Sequence, residues 1–250
     1  MQIILSPAKK LDFDSALSVR KASQPRFLNE SQELINELAQ KSPSQLQSMM
    51  KISGNLAQLN AARFKQWHLP FNLDNARQAV LAFNGDVYEG LKAKEMTAKE
   101  LEYAQQHLFI LSGLHGILRP LDLIQPYRLE MGSKFKTENW NSLYDFWGNK
   151  ITEVLNETND PVLINLASQE YFKVIRPENL NARVITPVFK ELKGDKLRTL
   201  SIYAKKARGM LSRYILQHQI EDPEAIKAFD EDGYRYHESL SDEANWVFTR

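Results

Sequence analysis

The chain has 250 residues, of which 43% are hydrophobic and 25% charged, an ordinary composition for a protein with a large buried core. Its net charge of +1 predicts no overall attraction to polyanions, and the lack of cysteine excludes disulfides, thiolate metal sites and thiol redox chemistry. No apolar run approaches the ~20 residues of a membrane helix, and the first residues lack the charged segment of a signal peptide. We therefore expect a cytoplasmic protein. Since no repeat or flexible linker interrupts the sequence, we expect one domain over 1–250.

The hydrophobic pattern predicts strands that alternate with helices. In the first half it predicts a buried strand at 1–5, helices at 27–39, 44–51 and 56–67, a strand at 79–83, a helix at 97–106 and a strand at 108–111. In the second half it predicts a helix at 140–155, strands at 162–166 and 184–189, a strand at 197–202 that pairs back through a turn at 193–195, a helix at 204–217, and a terminal hairpin of 234–239 with 246–249. This order predicts a mixed α/β (α+β) fold: a mixed sheet with flanking helices, a helical section near the N-terminus and a C-terminal β-hairpin.

Basic and acidic residues are segregated near the C-terminus. Residues 190–213 include eight basic and two acidic side chains, whereas residues 221–250 include nine acidic and three basic ones. The two blocks either give a polarised surface or form solvated faces that neutralise each other. On the helix predicted at 204–217, four basic residues lie opposite the apolar side and are expected to be exposed together: Lys205, Lys206, Arg208 and Arg213.

Four predicted strands are each followed by a polar loop. The loops are 6–10, 84–88, 112–116 and 167–171. In open α/β sheets such loops converge on one crevice, and Lys, Arg, Ser and glycine turns suit a phosphate there. The cations expected at the crevice are Lys9, Lys10, Arg119 and Arg128. The alternative is that glycine and serine serve only turns and helix caps.

Seven motifs run in order along nearly the whole chain: ILSPAKK (4–10), FNGDVYEGL (83–91), LSGLHGILRPLD (111–122), PYRLEMG (126–132), NLASQEY (165–171), KKARG (205–209) and DGY (232–234). Together they resemble the YaaA family of peroxide-stress proteins. The resemblance implies defence against hydrogen peroxide, a link to lowered free intracellular iron, and binding to duplex or branched DNA through a helix-hairpin-helix and a basic cleft. It implies no settled enzymatic reaction.

Residues 43–67 have the form of a helix-hairpin-helix, with two helices joined by Ile-Ser-Gly-Asn. In such a unit the turn and the start of the second helix hold a DNA phosphate, because the helix dipole favours an anion and glycine lets the backbone approach. The residues expected to do so are Lys51, Ser53, Gly54 and Asn55. The turn has one glycine where such hairpins often have two, and the alternative is an ordinary helical hairpin in which Gly54 only makes the turn.

An enzymatic alternative depends on carboxylates in the crevice loops. Asp86 and Glu170, with Glu89, could act as acid and base at the glycosidic bond of a nucleotide or nucleobase. The five histidines are dispersed and show no zinc-binding spacing, so we expect no metal site and no cofactor. Direct iron binding would need clustered carboxylates and is the least favoured hypothesis.

Overall fold

The computed structural model describes residues 1–17, 19–194 and 196–250. Its strands are β1 (Gln2–Leu5), β2 (Lys10–Leu11), β3 (Arg77–Gln78), β4 (Phe83–Asn84), β5 (Leu108–Ser112), β6 (Gly116–Leu118), β7 (Leu123–Ile124), β8 (Val162–Leu166), β9 (Arg183–Lys193), β10 (Lys196–Arg198), β11 (Arg235–Tyr236) and β12 (Asn245–Thr249). Its α-helices are α1 (Leu28–Ala39), α2 (Pro43–Met50), α3 (Gly54–Gln66), α4 (Ala79–Ala82), α5 (Asp86–Leu91), α6 (Ala98–His107), α7 (Leu143–Trp147), α8 (Lys150–Glu157), α9 (Gln169–Phe172) and α10 (Ser201–His218). No helix in these ranges is long and apolar enough to cross a membrane.

The main sheet has the order β11-β12-β9-β8-β1-β5-β6, and β10 pairs with β9. The first strand lies between β5 and β8, parallel to both, and β9 is parallel to β8. Every residue of β1 is buried, which explains its uniformly apolar sequence apart from Gln2. The predicted mixed α/β fold, with a mixed sheet and flanking helices, is confirmed.

Helices α5 and α10 cross at backbone contact. A Cβ built on Gly90 would lie 2.1 Å from the backbone oxygen of Lys206, and one built on Gly209 would lie 1.8 Å from that of Val87. Both distances are far below any real contact, so only glycine allows this crossing. The crossing fixes the first half of α10 against α5, whose first residues line the cleft described below.

Two predicted elements in the middle of the chain are wrong. Residues 79–82 form α4, and only Phe83 and Asn84 pair as a strand. A short buried apolar run such as Ala-Val-Leu-Ala carries no period that separates helix from strand. The helix predicted at 140–155 is two helices, because Gly148 adopts a positive φ of 50° that ends α7.

The C-terminal third differs from the prediction in length and pairing. The strand predicted at 197–202 ends at Arg198, and α10 begins at Ser201; Asp195, in the predicted turn, lies outside the described residues. The predicted hairpin is reduced to Arg235 and Tyr236, which pair antiparallel with Thr249 and Phe248. The last strand also pairs in parallel with β9 and so joins the main sheet. That long-range pairing has no signal in the local pattern.

Candidate functional site

A cleft of about 630 Å³ lies where the loops after β1, β4 and β8 meet. Pairing of β2 with β4 joins the first two loops, and the backbone N–H of Ser168 donates to Ser6 Oγ at 2.8 Å to join the first and the last. The lining consists of residues 6–10, 84–89 and 127–130, Leu166, Ser168, Glu170 and Tyr171, with Lys205 and Arg208 from α10. Three of the four predicted loops therefore meet in one crevice.

Exposed lysines stand at the mouth of the cleft. Lys9 Nζ lies 3.3 Å from Glu130 Oε1, and Lys205 Nζ lies 3.6 Å from Asp86 Oδ2. Lys10 is also exposed. Ion pairs of this exposure are worth about 0–1 kcal/mol each, so these ammonium groups can turn to a ligand at little cost.

Arg208 is the cation deepest on the α10 side of the cleft. Its side chain is half-buried, and burial lowers the pKa of its guanidinium from the usual value. Within the described residues it makes no hydrogen bond or ion pair, whereas its neighbour Lys205 pairs with Asp86. A desolvated charge without a partner is costly, so this position favours an anionic ligand.

Three tyrosines form the buried part of the lining. Burial raises the pKa of Tyr88, Tyr127 and Tyr171 above the usual value, so all three hydroxyls stay neutral. The Tyr88 hydroxyl donates to the Ser6 carbonyl at 3.1 Å, and the Tyr127 hydroxyl bonds to Ser112 at 2.6 Å. The cleft thus combines charged groups at its mouth with aromatic rings below.

Glu130 is a cleft residue that the sequence reasoning missed. Its Oε1 accepts from Arg128 at 2.8 Å and faces Lys9, while its Oε2 is buried and has no partner among the described residues. The side chain is only 13% exposed, which makes it the most enclosed of the ion-paired carboxylates that line the cleft. Its position in the PYRLEMG motif was the available signal.

The two predicted catalytic carboxylates both reach the cleft. Asp86 begins α5 beside Lys205, and Glu170 Oε1 accepts from the backbone N–H of Gly132 at 2.9 Å. A Cβ on Gly132 would lie 2.9 Å from Glu170 Oε1, so glycine is needed for this contact. Glu170 therefore has a clear role in holding the loop that carries Glu130.

The loop at 112–116 does not line the cleft, contrary to the prediction. The reason is that β5 turns back at once into the antiparallel β6. The loop instead supports the third wall, because Ser112 holds Tyr127 and a Cβ on Gly113 would lie 2.3 Å from the Leu129 carbonyl. His115 is fully buried and contacts Ser31 at 2.9 Å, and burial lowers its pKa to about 3.

Three predicted cations lie outside the cleft. Arg119 borders a separate groove of about 470 Å³ and pairs with Asp122 at 3.5 Å. Arg213, expected to be exposed, is mostly buried and pairs with Glu100 at 3.1 Å, because α6 packs against α10. Lys206 is exposed at the crossing of α10 with α5, whereas Arg128 lines the cleft.

The helical pair α2–α3 holds the other predicted group of phosphate-binding residues. Lys51 ends α2 with a positive φ of 53°, and Ser53 caps α3 by accepting from the Leu56 N–H at 3.4 Å. Gly54 is the first residue of α3, and a Cβ there would make only an ordinary van der Waals contact, with Gln47 Oε1 at 3.7 Å. The left-handed turn residue is therefore Lys51 and not Gly54, and Asn55 follows in the first turn. All four residues lie apart from the cleft.

One ion pair among the described residues joins the two blocks, between Arg250 of the acidic block and Glu191 of the basic block at 2.8 Å. Among the residues that the structure describes, no cation of 190–213 forms an ion pair with a carboxylate of 221–250. Lys205 and Arg213 instead pair with residues of the first half of the chain. In the described structure the cations of the basic block are therefore not neutralised by ion pairs with the carboxylates of the acidic block. The described residues also include no group of three or more side chains placed to hold a metal ion.

Comparison with known proteins agrees with the motifs. Residues 1–240 match the family model described as peroxide stress protein YaaA. A UPF0246 protein of Colwellia psychrerythraea is 53% identical over 254 aligned positions, which cover 100% of this chain and 99% of the relative. UPF0246 proteins of Hahella chejuensis and Ralstonia nicotianae are 52% and 50% identical with the same coverage. The chain belongs to the peroxide stress protein YaaA family.

Proposed function

We propose that this protein binds duplex or branched DNA in the peroxide stress response and so shields it from oxidative damage. The observation that carries the proposal is Arg208, a half-buried guanidinium without a partner in the described residues, in a cleft whose mouth also holds Lys9, Lys10 and Lys205. A phosphate would supply the missing anion, and DNA presents phosphates in a row. Because the net charge is only +1, the attraction to DNA must come from local groups of cations rather than from the charge of the whole protein.

The helical pair supports the proposal as a second contact. The start of α3 is solvent-exposed at Ser53, Gly54 and Asn55, beside the exposed Lys51. Backbone N–H groups at a helix start attract phosphate, and a glycine, which has no Cβ, permits a close approach of the ligand to the backbone. We assign it a supporting role, because the polar side chains there are exposed rather than desolvated.

The proposal includes a link to lowered free intracellular iron, which follows from the family resemblance. The described residues offer no ligand cluster for iron. We therefore propose that any effect on iron is indirect.

A salt titration of binding to duplex, forked and four-way DNA tests the proposal. Each phosphate contact adds about 0.9 to the slope of log affinity against log salt, so Lys205→Ala should flatten the slope by up to about one unit. Lys99→Ala is the matched control, since Lys99 is an exposed lysine of α6 outside the cleft. Absence of binding to all three DNA forms at low salt would refute the proposal.

A second candidate function is an enzyme that cleaves the glycosidic bond between the nucleobase and the sugar of a nucleotide. It is favoured by the presence of Asp86, Glu130 and Glu170 in one nucleotide-sized cleft. Paired carboxylates serve as acid and base in such reactions. Release of free base from nucleosides, nucleotides or DNA, lost in Asp86→Asn, would establish it; no release under DNA-binding conditions would exclude it.

A further inference from the structure

We infer that the cleft holds a single unstacked nucleotide, with its phosphate at the cationic mouth and its base in the tyrosine-lined interior beside Glu130. The inference rests on the proposed function and names the unit of nucleic acid that the cleft takes. The same chemistry is present in a nucleotide turned out of DNA and in a free nucleoside 5′-phosphate.

The size of the cleft limits what can enter. A volume of about 630 Å³ lies in the range of small-ligand sites and cannot admit a duplex about 20 Å across. A paired segment of DNA could therefore touch only the lysines at the mouth. A base that reaches the interior must first leave its stack, and the free-energy cost of unstacking is smallest for a nucleotide that is already unpaired.

The polarity of the cleft changes from mouth to interior. The side chain of Lys9 is 68% exposed and that of Lys205 50% exposed, whereas Tyr88 and Tyr171 are each 7% exposed. A phosphate is held best at the exposed cations, and an aromatic base is held best between apolar and aromatic groups. The change from exposed cations at the mouth to buried aromatic rings in the interior matches the order of phosphate and base in a nucleotide.

Glu130 supplies a polar group suited to a base edge. One of its carboxylate oxygens is held by Arg128 and Lys9, and the other is buried and without a partner among the described residues. A buried acceptor without a donor is destabilising, and an N–H of a nucleobase would offset that cost. A ligand made only of phosphate would gain nothing from this oxygen and would be repelled by its charge.

Glu130 should repel a phosphate and accept a hydrogen bond from a base, and an experiment can test these opposite effects. Binding is measured for a fully paired duplex, the same duplex with one bulged nucleotide, and free deoxynucleoside 5′-monophosphates, in the wild type, Glu130→Gln and Glu89→Gln. Glu89 is an exposed carboxylate of the same lining, so its change removes the same charge without the buried acceptor. We expect the bulged duplex to bind the wild type at least tenfold tighter than the paired one. Glu130→Gln should lose most of that preference without losing affinity for paired DNA, and Glu89→Gln should keep it.

The arms of the experiment separate this inference from the DNA-binding proposal. Equal, salt-sensitive binding of bulged and paired DNA to the wild type would overturn the inference and leave DNA binding standing. Binding of free mononucleotides without any DNA would uphold the nucleotide site and refute DNA binding. Should Glu130→Gln fail to fold, as judged by circular dichroism, the wild-type comparison of bulged with paired duplex still decides the matter.

Discussion

The cleft and the α2–α3 helical pair are two regions suited to phosphate, and they are built in opposite ways. The helical pair is one continuous segment, and its exposed turn is capped by its own Ser53. The cleft is assembled from segments that lie between residues 6 and 208, and it leaves Arg208 half-buried without a partner in the described structure. A local motif such as the helical pair is easier to find in a sequence. The cleft, where distant segments meet, is the region whose buried charge is stabilised more by a bound anion.

The largest expected effect is on stability, and it compares a glycine of the cleft region with a glycine of the helical pair. Gly209→Ala forces a Cβ to within 1.8 Å of the Val87 backbone oxygen, whereas the Cβ of Gly54→Ala makes only an ordinary contact at 3.7 Å. We expect the first change to lower the free energy of unfolding by about 3 kcal/mol or more, and the second to alter it by about 1 kcal/mol or less. Urea unfolding of both variants measures this, and equal effects would mean that the helix crossing does not set the cleft.

The free energy of unfolding should also depend on pH through His115, which lies in the loop that supports the third wall of the cleft. Burial lowers its pKa to about 3 from a usual value near 6.5, so between these values the unfolded chain holds the proton that the folded chain lacks. The contribution of neutral His115 to the free energy of unfolding is complete above pH 6.5. It falls by about 1.4 kcal/mol for each pH unit below that value, so the total loss at pH 5 is about 2 kcal/mol.

Unfolding at pH 7 and pH 5 in the wild type and His115→Gln measures this contribution. The wild type should lose the additional stability on acidification, and the variant should not. An imidazole that NMR shows protonated at pH 5 in the folded protein would contradict the assignment.

A change at Lys10 tests whether the mouth of the cleft binds DNA. Its ammonium group is exposed and lies in the lining, so Lys10→Ala should fold normally. We expect DNA affinity to fall by roughly 1 kcal/mol or more, the range of a charge-assisted contact. Normal binding by a normally folded variant would move the ligand away from this cleft.

The smallest expected effect belongs to the helical pair. Lys51→Ala should reduce the salt slope of DNA binding by about one unit or less, and by no more than Lys10→Ala does. A titration of both variants on the same duplex gives the comparison. A larger loss for Lys51 would reverse the ranking and make the helical pair the main contact.

The sequence predicted the fold class because its signals are local and strong. The apolar run of β1 and the Thr97 and Glu100 capping pair of α6 each specify their own element, as the structure confirms. The run at 79–82 did not, because burial on all sides removes the period by which strands and helices are distinguished.

The composition of the cleft was harder to predict than its existence. The loop motifs placed Lys9, Lys10 and Arg128 correctly among the lining residues. Arg213 was placed wrongly, because its burial depends on a helix that packs from elsewhere in the chain. Glu130 was missed, because the PYRLEMG motif gives its position but not the burial of its second oxygen, which has no partner among the described residues and depends on packing.

The most direct test of the account compares the same substitution at two arginines. Arg208 lies in the cleft without a partner among the described residues, and Arg119 lies in a separate groove paired with Asp122. Binding of four-way and duplex DNA is measured across salt for Arg208→Gln and Arg119→Gln. We expect Arg208→Gln to weaken binding by about tenfold or more and to reduce the slope by about one unit, with Arg119→Gln unchanged. Unchanged binding by Arg208→Gln would contradict the assignment of this cleft as the phosphate site.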